Sequence, residues 1–411
     1  MNPTLSQRPM TSLIAEASER PGDDPIFALN AEAMQRAREG ENVINATLGA
    51  LMDDGGQLAV MPTVFEAIRS IPAEQASAYA PIAGDPAFLE AVIRDTFGSS
   101  PLAAQSVAVA TAGGTGAVHH GIVNFLEPGQ VLYTPNYFWG PYKILANHNR
   151  RGVETFRMYD AEGRFDIESF ETGLKVLLER QGRALVIFNF PCNNPTGYTL
   201  DADEWRRVAE ILEREGRRYP LAFMLDLAYA RYGAAGSDAW VRELERTASS
   251  CTLLIAWSAS KAFAQYGSRV GCLIATTPDD AERARIKNAL AYSCRGTWSN
   301  CNHLGILAIT KLLTDADLKA SVDAERAGLK RLIDERVEIF NREAVTAGLR
   351  TPRYEGGFFV AVFSEDAERT AAGAREEGVF VVPMDGAVRV ALCSTPAESV
   401  PRLVEVLGRH V

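Results

Sequence analysis

The stretch RALVIFNFPCNNPTGYTLDADEWRRVAEILEREGRRYPLAFMLDLAY, residues 183–229, decides the fold. It opens and closes on short apolar runs rich in strand-forming residues, RALVIFNF at 183–190 and LAFMLDLAY at 221–229. Between them Asp201, with Glu204 three residues later, makes a capping box at the head of the amphipathic stretch EWRRVAEILERE. Outward from this unit the alternation continues, with SVAVA at 106–110 and QVLYTP at 130–135 on one side and TLLIAWSAS at 252–260 and VGCLIAT at 270–276 on the other. Short apolar strands alternating with helical patterns predict a largely parallel sheet covered by helices.

From about Cys301 to Thr346 the pattern is helical with few breakers. A second strand group follows, FFVAVF at 358–363, VFVVPM at 379–384 and AVRVALC at 387–393, and a terminal helix is expected near 396–410. The fold class is therefore α/β, a large central domain with a mostly parallel sheet between helices plus a smaller α+β domain. No internal repeats appear. The opening MNPTLSQRPMTSLIAEASER lacks a basic segment followed by an apolar core, so it reads as an arm or an amphipathic helix rather than a secretory signal.

The 411 residues carry 42 Lys and Arg against 52 Asp and Glu, a net charge of −10, and no Lys/Arg-rich cluster offsets it, which argues against a nucleic-acid partner. No apolar run approaches the roughly 18 residues of a membrane span. The six cysteines, Cys192, Cys251, Cys272, Cys294, Cys301 and Cys393, form no Cys-x-x-Cys pair, so zinc and thioredoxin spacings are absent and a reducing cytoplasm is expected.

Polar residues cluster where the apolar runs end. TAGGTGAVHHG puts Gly113, Gly114, Thr115 and Gly116 after a strand and at the head of a helix, where free amides and the helix dipole attract a phosphate. The G-x-G-x-x-G fingerprint is absent, because His119 stands where the third glycine belongs, and a tight turn without a ligand is the other reading. Asn193, Asn194, Pro195, Thr196 and Gly197 follow a strand at the end where α/β proteins bind ligands, although a plain turn has the same composition. Asp226 and Tyr229 close the next run. A carboxylate there is costly unless it meets a cation, and a structural ion pair or a helix cap would also satisfy it. SASKAFAQYGSRVG places Ser258, Ser260, Lys261, Arg269 and Gly271 after a further strand, and a lysine buried at such a position is suited to a Schiff base with a carbonyl. His119, His120, His148 and His303 have no ligand spacing, so no metal site is expected.

Taken in order, NNPTG, the Asp-x-x-Tyr pair Asp226 and Tyr229, and Ser-x-Ser-Lys with Arg269 eight residues later resemble the fold-type-I aminotransferases that use pyridoxal 5′-phosphate. Within them the chain is most similar to the aspartate and aromatic amino acid aminotransferase branch. The similarity begins at DPIFALNAEA near residue 24, passes through NATLGALMDDGG, SAYAPIAGDPAF and RGTWSNCNHLG, and reaches AVRVAL near residue 390. It implies an N-terminal arm over 1–22, a small domain from 23–55 and 316–411, and a large cofactor-binding domain over 56–315.

Residue by residue, the resemblance implies that Lys261 holds the cofactor as a Schiff base, that Asp226 pairs with the pyridine nitrogen, and that Asn194 and Tyr229 bond the ring hydroxyl. A carboxylate against that nitrogen keeps it protonated, so the ring can accept electrons from a carbanion, and the freed lysine can then move a proton. Gly114, Thr115, Ser258 and Arg269 would cradle the phosphate. Tyr79, in SAYAPIAG, matches a tyrosine that reaches the neighbouring subunit's cofactor, which implies a homodimer with shared active sites. Trp139, in WGPY, matches the tryptophan stacked on the cofactor, with Tyr137 as the alternative. Two positions depart from the family. Tyr142 replaces a histidine behind the aspartate, which leaves the partner of Asp226 open, and Asn193 stands where aspartate enzymes usually carry histidine.

On the substrate side Arg389, in AVRVAL, matches the arginine that takes the α-carboxylate in a planar fork, with Gly49 and Asn194 beside it. Arg295 matches the arginine that crosses the dimer to a distal carboxylate. The following SNCN departs from the usual SNPP, and a solvated surface arginine is the other reading. The expected activity is transfer of the α-amino group of an acidic or aromatic L-amino acid to 2-oxoglutarate by a ping-pong route, with amino acids and 2-oxo acids as small-molecule partners. The alternatives are another donor such as alanine or kynurenine, a lyase, or a non-catalytic binding protein on the same fold. Arg295 argues against an alanine donor, and Lys261 argues against a protein without turnover.

Overall fold

The computed structural model describes residues 11–22 and 25–411. The first ten residues of the expected arm, and positions 23–24 at the start of the expected small domain, lie outside the described residues. Within the described part of the arm, Ala15–Ser18 forms one helical turn.

Along the chain come β1 (Ile44–Asn45), β2 (Ser106–Ala112), β3 (Val131–Pro135), β4 (Gly152–Phe156), β5 (Ala184–Phe188) and β6 (Leu221–Asp226). They are followed by β7 (Thr252–Ser258), β8 (Val270–Thr276), β9 (Phe359–Phe363), β10 (Val379–Phe380), β11 (Val382–Met384) and β12 (Ala387–Ala391). Seven of these make one sheet in the order β2-β8-β7-β6-β5-β3-β4. Neighbours from β4 through β7 run parallel, and β8 is antiparallel to both β7 and β2.

Every residue of β5 and β6 is buried, which explains their unbroken apolar sequences: helices cover both faces. Successive side chains take opposite sides. Val186, Phe188, Phe223 and Leu225 enter one core, while Leu185, Ile187, Ala222 and Met224 enter the other. The crossover helix Ala202–Gly216 opens on the expected capping box, with Asp201 and Glu204 each accepting from the other's backbone amide. It buries Trp205, Val208 and Leu212.

A third core gathers Ile44, Ala46, Val337, Phe340, Val360, Val362, Val390, Leu403 and Leu407. It lies between the sheet β11-β12-β9, the long helix Ala316–Thr346 and the terminal helix Val400–His410. The N-terminal part of the chain joins it where β1 pairs in parallel with β10. The helical pattern expected from Cys301 to Thr346 is two helices, His303–Thr314 and Ala316–Thr346, and Asp315 between them caps the second by accepting from the amides of Asp317 and Leu318. The VFVVPM run likewise divides into β10 and β11. No helix among the described residues is long and apolar enough to cross a membrane.

Candidate active site

The sheet concentrates polar groups at one edge. β2, β6 and β7 end there, and because β8 runs antiparallel it begins there, with Ala112 opposite Val270 and Ser258 opposite Gly271. Asp226 and Ser258 are the last residues of their strands, Lys261 sits in the helical turn Ala259–Ala262, and Arg269 directly precedes β8. One cavity is lined by Gly114, Thr115, Trp139, Asn189, Asp226, Tyr229, Ser258, Lys261 and Arg269. The folded chain thus brings together residues that lie from 114 to 269 in sequence.

At one end of this cavity the backbone forms a cradle. The helix Gly113–Phe125 starts immediately after β2, so its first-turn amides have no partner within the helix. Gly113 has φ +69°, and a Cβ on Gly271 would stand 2.3 Å from its carbonyl carbon, so bare glycines let the two strand ends meet. Ser258 Oγ accepts from the Ser260 amide at 3.1 Å. Arg269 donates to the Tyr266 carbonyl at 2.8 Å and to Ser260 Oγ at 3.3 Å. Among the described residues no carboxylate forms an ion pair with Arg269. Free amides, two hydroxyls and a guanidinium without a carboxylate fit a phosphate group.

Asp226 is buried at the end of β6. Its Oδ2 accepts from the Tyr142 hydroxyl at 2.7 Å, and its Oδ1 accepts from the Ala228 amide at 3.2 Å. Burial pushes its pKa up, while the Tyr142 bond, the Ala228 amide and the charge of Lys261 oppose the shift. The partner of Asp226 left open by the sequence is therefore Tyr142, which burial and the neighbouring carboxylate keep protonated well above the ordinary phenol range.

Lys261 carries its Nζ 5.2 Å from the centre of the Tyr229 ring. Burial lowers its pKa, Asp226 opposes that and Arg269 adds to it, so the amine loses its proton more readily than an ordinary lysine. Tyr229 Oη accepts from Asn194 Nδ2 at 3.3 Å. Asn194 is itself fixed by Asn189, whose Oδ1 accepts from the Asn194 amide at 2.8 Å and whose Nδ2 donates to the Asp226 carbonyl at 2.8 Å. Asn189 belongs to the site and was not singled out from the sequence; its only signal was an amide side chain at the end of an otherwise apolar strand. Asn193 uses its Oδ1 on the turn, accepting from the Thr196 hydroxyl at 2.8 Å and the Thr196 amide at 3.2 Å, while its Nδ2 donates to the Tyr137 carbonyl at 3.4 Å.

Of the two aromatic candidates, Trp139 lines the cavity and packs edge-on to Tyr142 at 5.6 Å. Tyr137 instead packs on Tyr159 and Phe363, at 5.9 and 6.2 Å.

At the other end Arg389, on β12, donates to the Thr47 carbonyl at 2.5 Å and stacks its guanidinium over Phe359 at 4.6 Å. Phe359 also meets Tyr229 edge-on at 5.5 Å, and a Cβ on Gly49 would stand 2.6 Å from its ring. This one ring, again not singled out from the sequence, links Gly49 and Arg389 to the cavity. Tyr79 and Arg295 do not join these residues within the chain. Tyr79 is 88% exposed, and Arg295, exposed in the last turn of the helix Asp280–Thr297, donates to Ser299 Oγ at 2.5 Å. Among the described residues no group of three or more His, Cys, Asp or Glu could hold a metal ion; His119 and His120 face each other, and His120 stacks on Trp298.

The chain has the architecture of a fold-type-I enzyme, a mostly parallel sheet with a ligand cavity at its strand ends. The family described as aminotransferase class I and II matches residues 41–407, and the chain belongs to that family. It is a pyridoxal-phosphate-dependent aminotransferase. Among curated relatives, the aromatic-amino-acid aminotransferase of Paracoccus denitrificans is 30% identical, with 75% of this chain and 78% of that protein covered. The aspartate aminotransferase of Pseudomonas aeruginosa is 27% identical over 93% of this chain and 97% of that protein. A crystal structure of an aminotransferase from Anaerococcus prevotii, 28% identical, superposes with a TM-score of 0.93 over 97% of this chain and 99% of that one.

Proposed function

We propose that this enzyme moves the α-amino group of an acidic or aromatic L-amino acid to 2-oxoglutarate by a ping-pong route, with Lys261, Asp226 and Tyr229 as its catalytic residues. The observation that carries the reading is the charge arrangement along the cavity. Lys261, Asp226 and Arg269 line it together, and Arg389 stacks on Phe359, which in turn meets the lining residue Tyr229. Two separated guanidinium groups suit a cofactor phosphate and a substrate carboxylate on either side of the reacting atoms. The names of the relatives, aspartate and aromatic-amino-acid aminotransferases, support the two donor classes.

Bound in this cavity, pyridoxal phosphate supplies an electrophilic carbonyl and a ring that accepts electrons. The chain's residues do the rest. The amides of Gly114 and Thr115, the Ser258 hydroxyl and Arg269 hold the phosphate, and Tyr79 reaches the same group from the second subunit of a homodimer. Trp139 covers the ring face. Asp226 holds a proton at the ring nitrogen, and Tyr229 and Asn194 bond the ring hydroxyl. Lys261 Nζ, less basic than a solvated lysine, takes the proton from the substrate α-carbon and delivers it on the other side of the transfer. Arg389, with the backbone of Gly49 and the Asn194 amide nearby, orients the α-carboxylate. Arg295 crosses the interface to a distal carboxylate, and its exposure, like that of Tyr79, supports a surface that a second subunit covers. A cytoplasmic location fits six cysteines that are all free.

The test is a half-reaction. Holoenzyme given aspartate alone should release one oxo acid per subunit and lose the cofactor's long-wavelength absorbance. Later addition of 2-oxoglutarate should restore that absorbance with one glutamate formed per subunit. A requirement for both substrates together before any oxo acid appears would contradict the ping-pong reading.

A further inference from the structure

Tyr142 stands on the short helix Pro141–His148, completely buried in the apolar core on one face of the sheet, among Val118, Leu132, Ala146 and Met224. Its ring is wedged between Phe138, stacked at 6.3 Å, and Trp139, edge-on at 5.6 Å. Its hydroxyl points out of this apolar bed at Asp226 Oδ2, 2.7 Å away. Packing against both rings keeps the phenol oxygen within hydrogen-bond reach of the carboxylate. The groups facing Asp226 are the Tyr142 hydroxyl, the Ala228 amide, the Lys261 amine and the Tyr229 hydroxyl.

We propose that Tyr142 is a positioning residue that acts through Asp226: its hydroxyl occupies Oδ2 and thereby holds the carboxylate aimed at the ring nitrogen of the cofactor. The inference rests on the proposed role of Asp226. A phenol is suited to this role. Near neutral pH it stays protonated and uncharged, so it meets the carboxylate as a donor. The Ala228 amide holds Oδ1 in the same sense, so both oxygens are fixed from behind. The two bonds hold the carboxylate in one orientation and favour its charged form against the burial that raises its pKa.

The experiment compares the affinity of cofactor-free protein for pyridoxal 5′-phosphate with that for its 1-deaza analogue, in which C–H replaces the ring nitrogen. The aldehyde and phosphate are common to both ligands and cancel in the ratio. The parent should prefer the natural cofactor. Tyr142→Phe, which deletes one oxygen and keeps the ring, should shrink that preference about 10-fold, as expected for losing one hydrogen bond to a charged group, and leave affinity for the analogue within about twofold. Tyr142→His, which keeps a donor, should return the ratio toward the parent's. An unchanged ratio in Tyr142→Phe, an equal loss for both ligands, or a ratio for Tyr142→His as low as for Tyr142→Phe would overturn the proposal. Asp226→Asn separates the two layers of the reading. If it abolishes the preference while Tyr142→Phe does not, only the role of Tyr142 falls; if it leaves the preference intact, the role of Asp226 falls with it.

Discussion

Gly113 and Arg269 are fitted to each other: a Cβ on Gly113 would stand 2.5 Å from Nη2 of Arg269, and both residues have positive φ, +69° and +53°. The guanidinium lies against the bare Cα at the start of the helix, which keeps it beside the first-turn amides. Gly113→Ala should therefore cost about 1–2 kcal/mol in backbone strain and also displace Arg269. Thermal melting should show the loss of stability. Affinity for pyridoxal phosphate should fall more than affinity for pyridoxal, which lacks the phosphate. Equal losses for the two ligands would show that Arg269 does not serve the phosphate.

The two arginines proposed to bind substrate should separate cleanly. Arg389→Ala should weaken kcat/KM for every amino acid by roughly 10²–10³-fold, because each carries an α-carboxylate that would be desolvated without its partner. Arg295→Ala should act on dicarboxylic donors alone. The informative number is the ratio of kcat/KM for aspartate to that for phenylalanine, which should fall at least about 10-fold in Arg295→Ala and stay near the parent's in Arg389→Ala. An unchanged ratio in Arg295→Ala would mean that this arginine faces solvent, with the aminotransferase activity untouched by that result.

Asp226 makes stability of the cofactor-free protein depend on pH. Its pKa is raised by burial, so between the ordinary carboxylate value and the raised one the folded chain binds a proton that the unfolded chain has released. Stability from this group is complete below that window and is lost as pH rises through it. Asp226→Asn should therefore be more stable than the parent at neutral pH without cofactor, and the advantage should disappear on acidification. Urea midpoints across that range measure it. In the loaded enzyme the same substitution should lower kcat by about 10²-fold or more, since a neutral amide stabilises no charge at the ring nitrogen.

The strands that carry the site were legible because they are buried on both faces. Runs such as ALVIF and LAFMLD, short, apolar and bounded by turn residues, suit strands covered on both faces. β4, GVETF, escaped notice because it lies at the sheet edge with most of its residues partly exposed, and a mixed sequence there carries no strong pattern. β1 was hidden for a different reason: it is two residues long and exists only because it pairs with β10, more than three hundred positions away. In the site, motifs local in sequence were readable, such as the glycine turn and the Ser-x-Ser-Lys segment. Contacts made by tertiary packing were not. The sequence showed that Tyr142 departs from a family pattern, but its bond to Asp226, 84 positions away, follows from where the helix Pro141–His148 docks. Asn189 and Phe359 were likewise invisible as site residues, because an amide at a strand end and a phenylalanine in an apolar strand each have a common structural use.

The central claim is that Lys261 is the amine that reacts with the cofactor carbonyl and then moves the proton. Borohydride reduction of the holoenzyme, followed by proteolysis and mass mapping, tests it most directly. A single phosphopyridoxyl label on the peptide containing Lys261, absent in Lys261→Ala, together with a fall in turnover of at least about 10²–10⁴-fold in that variant, is the expected result. A label on any other lysine would contradict the account.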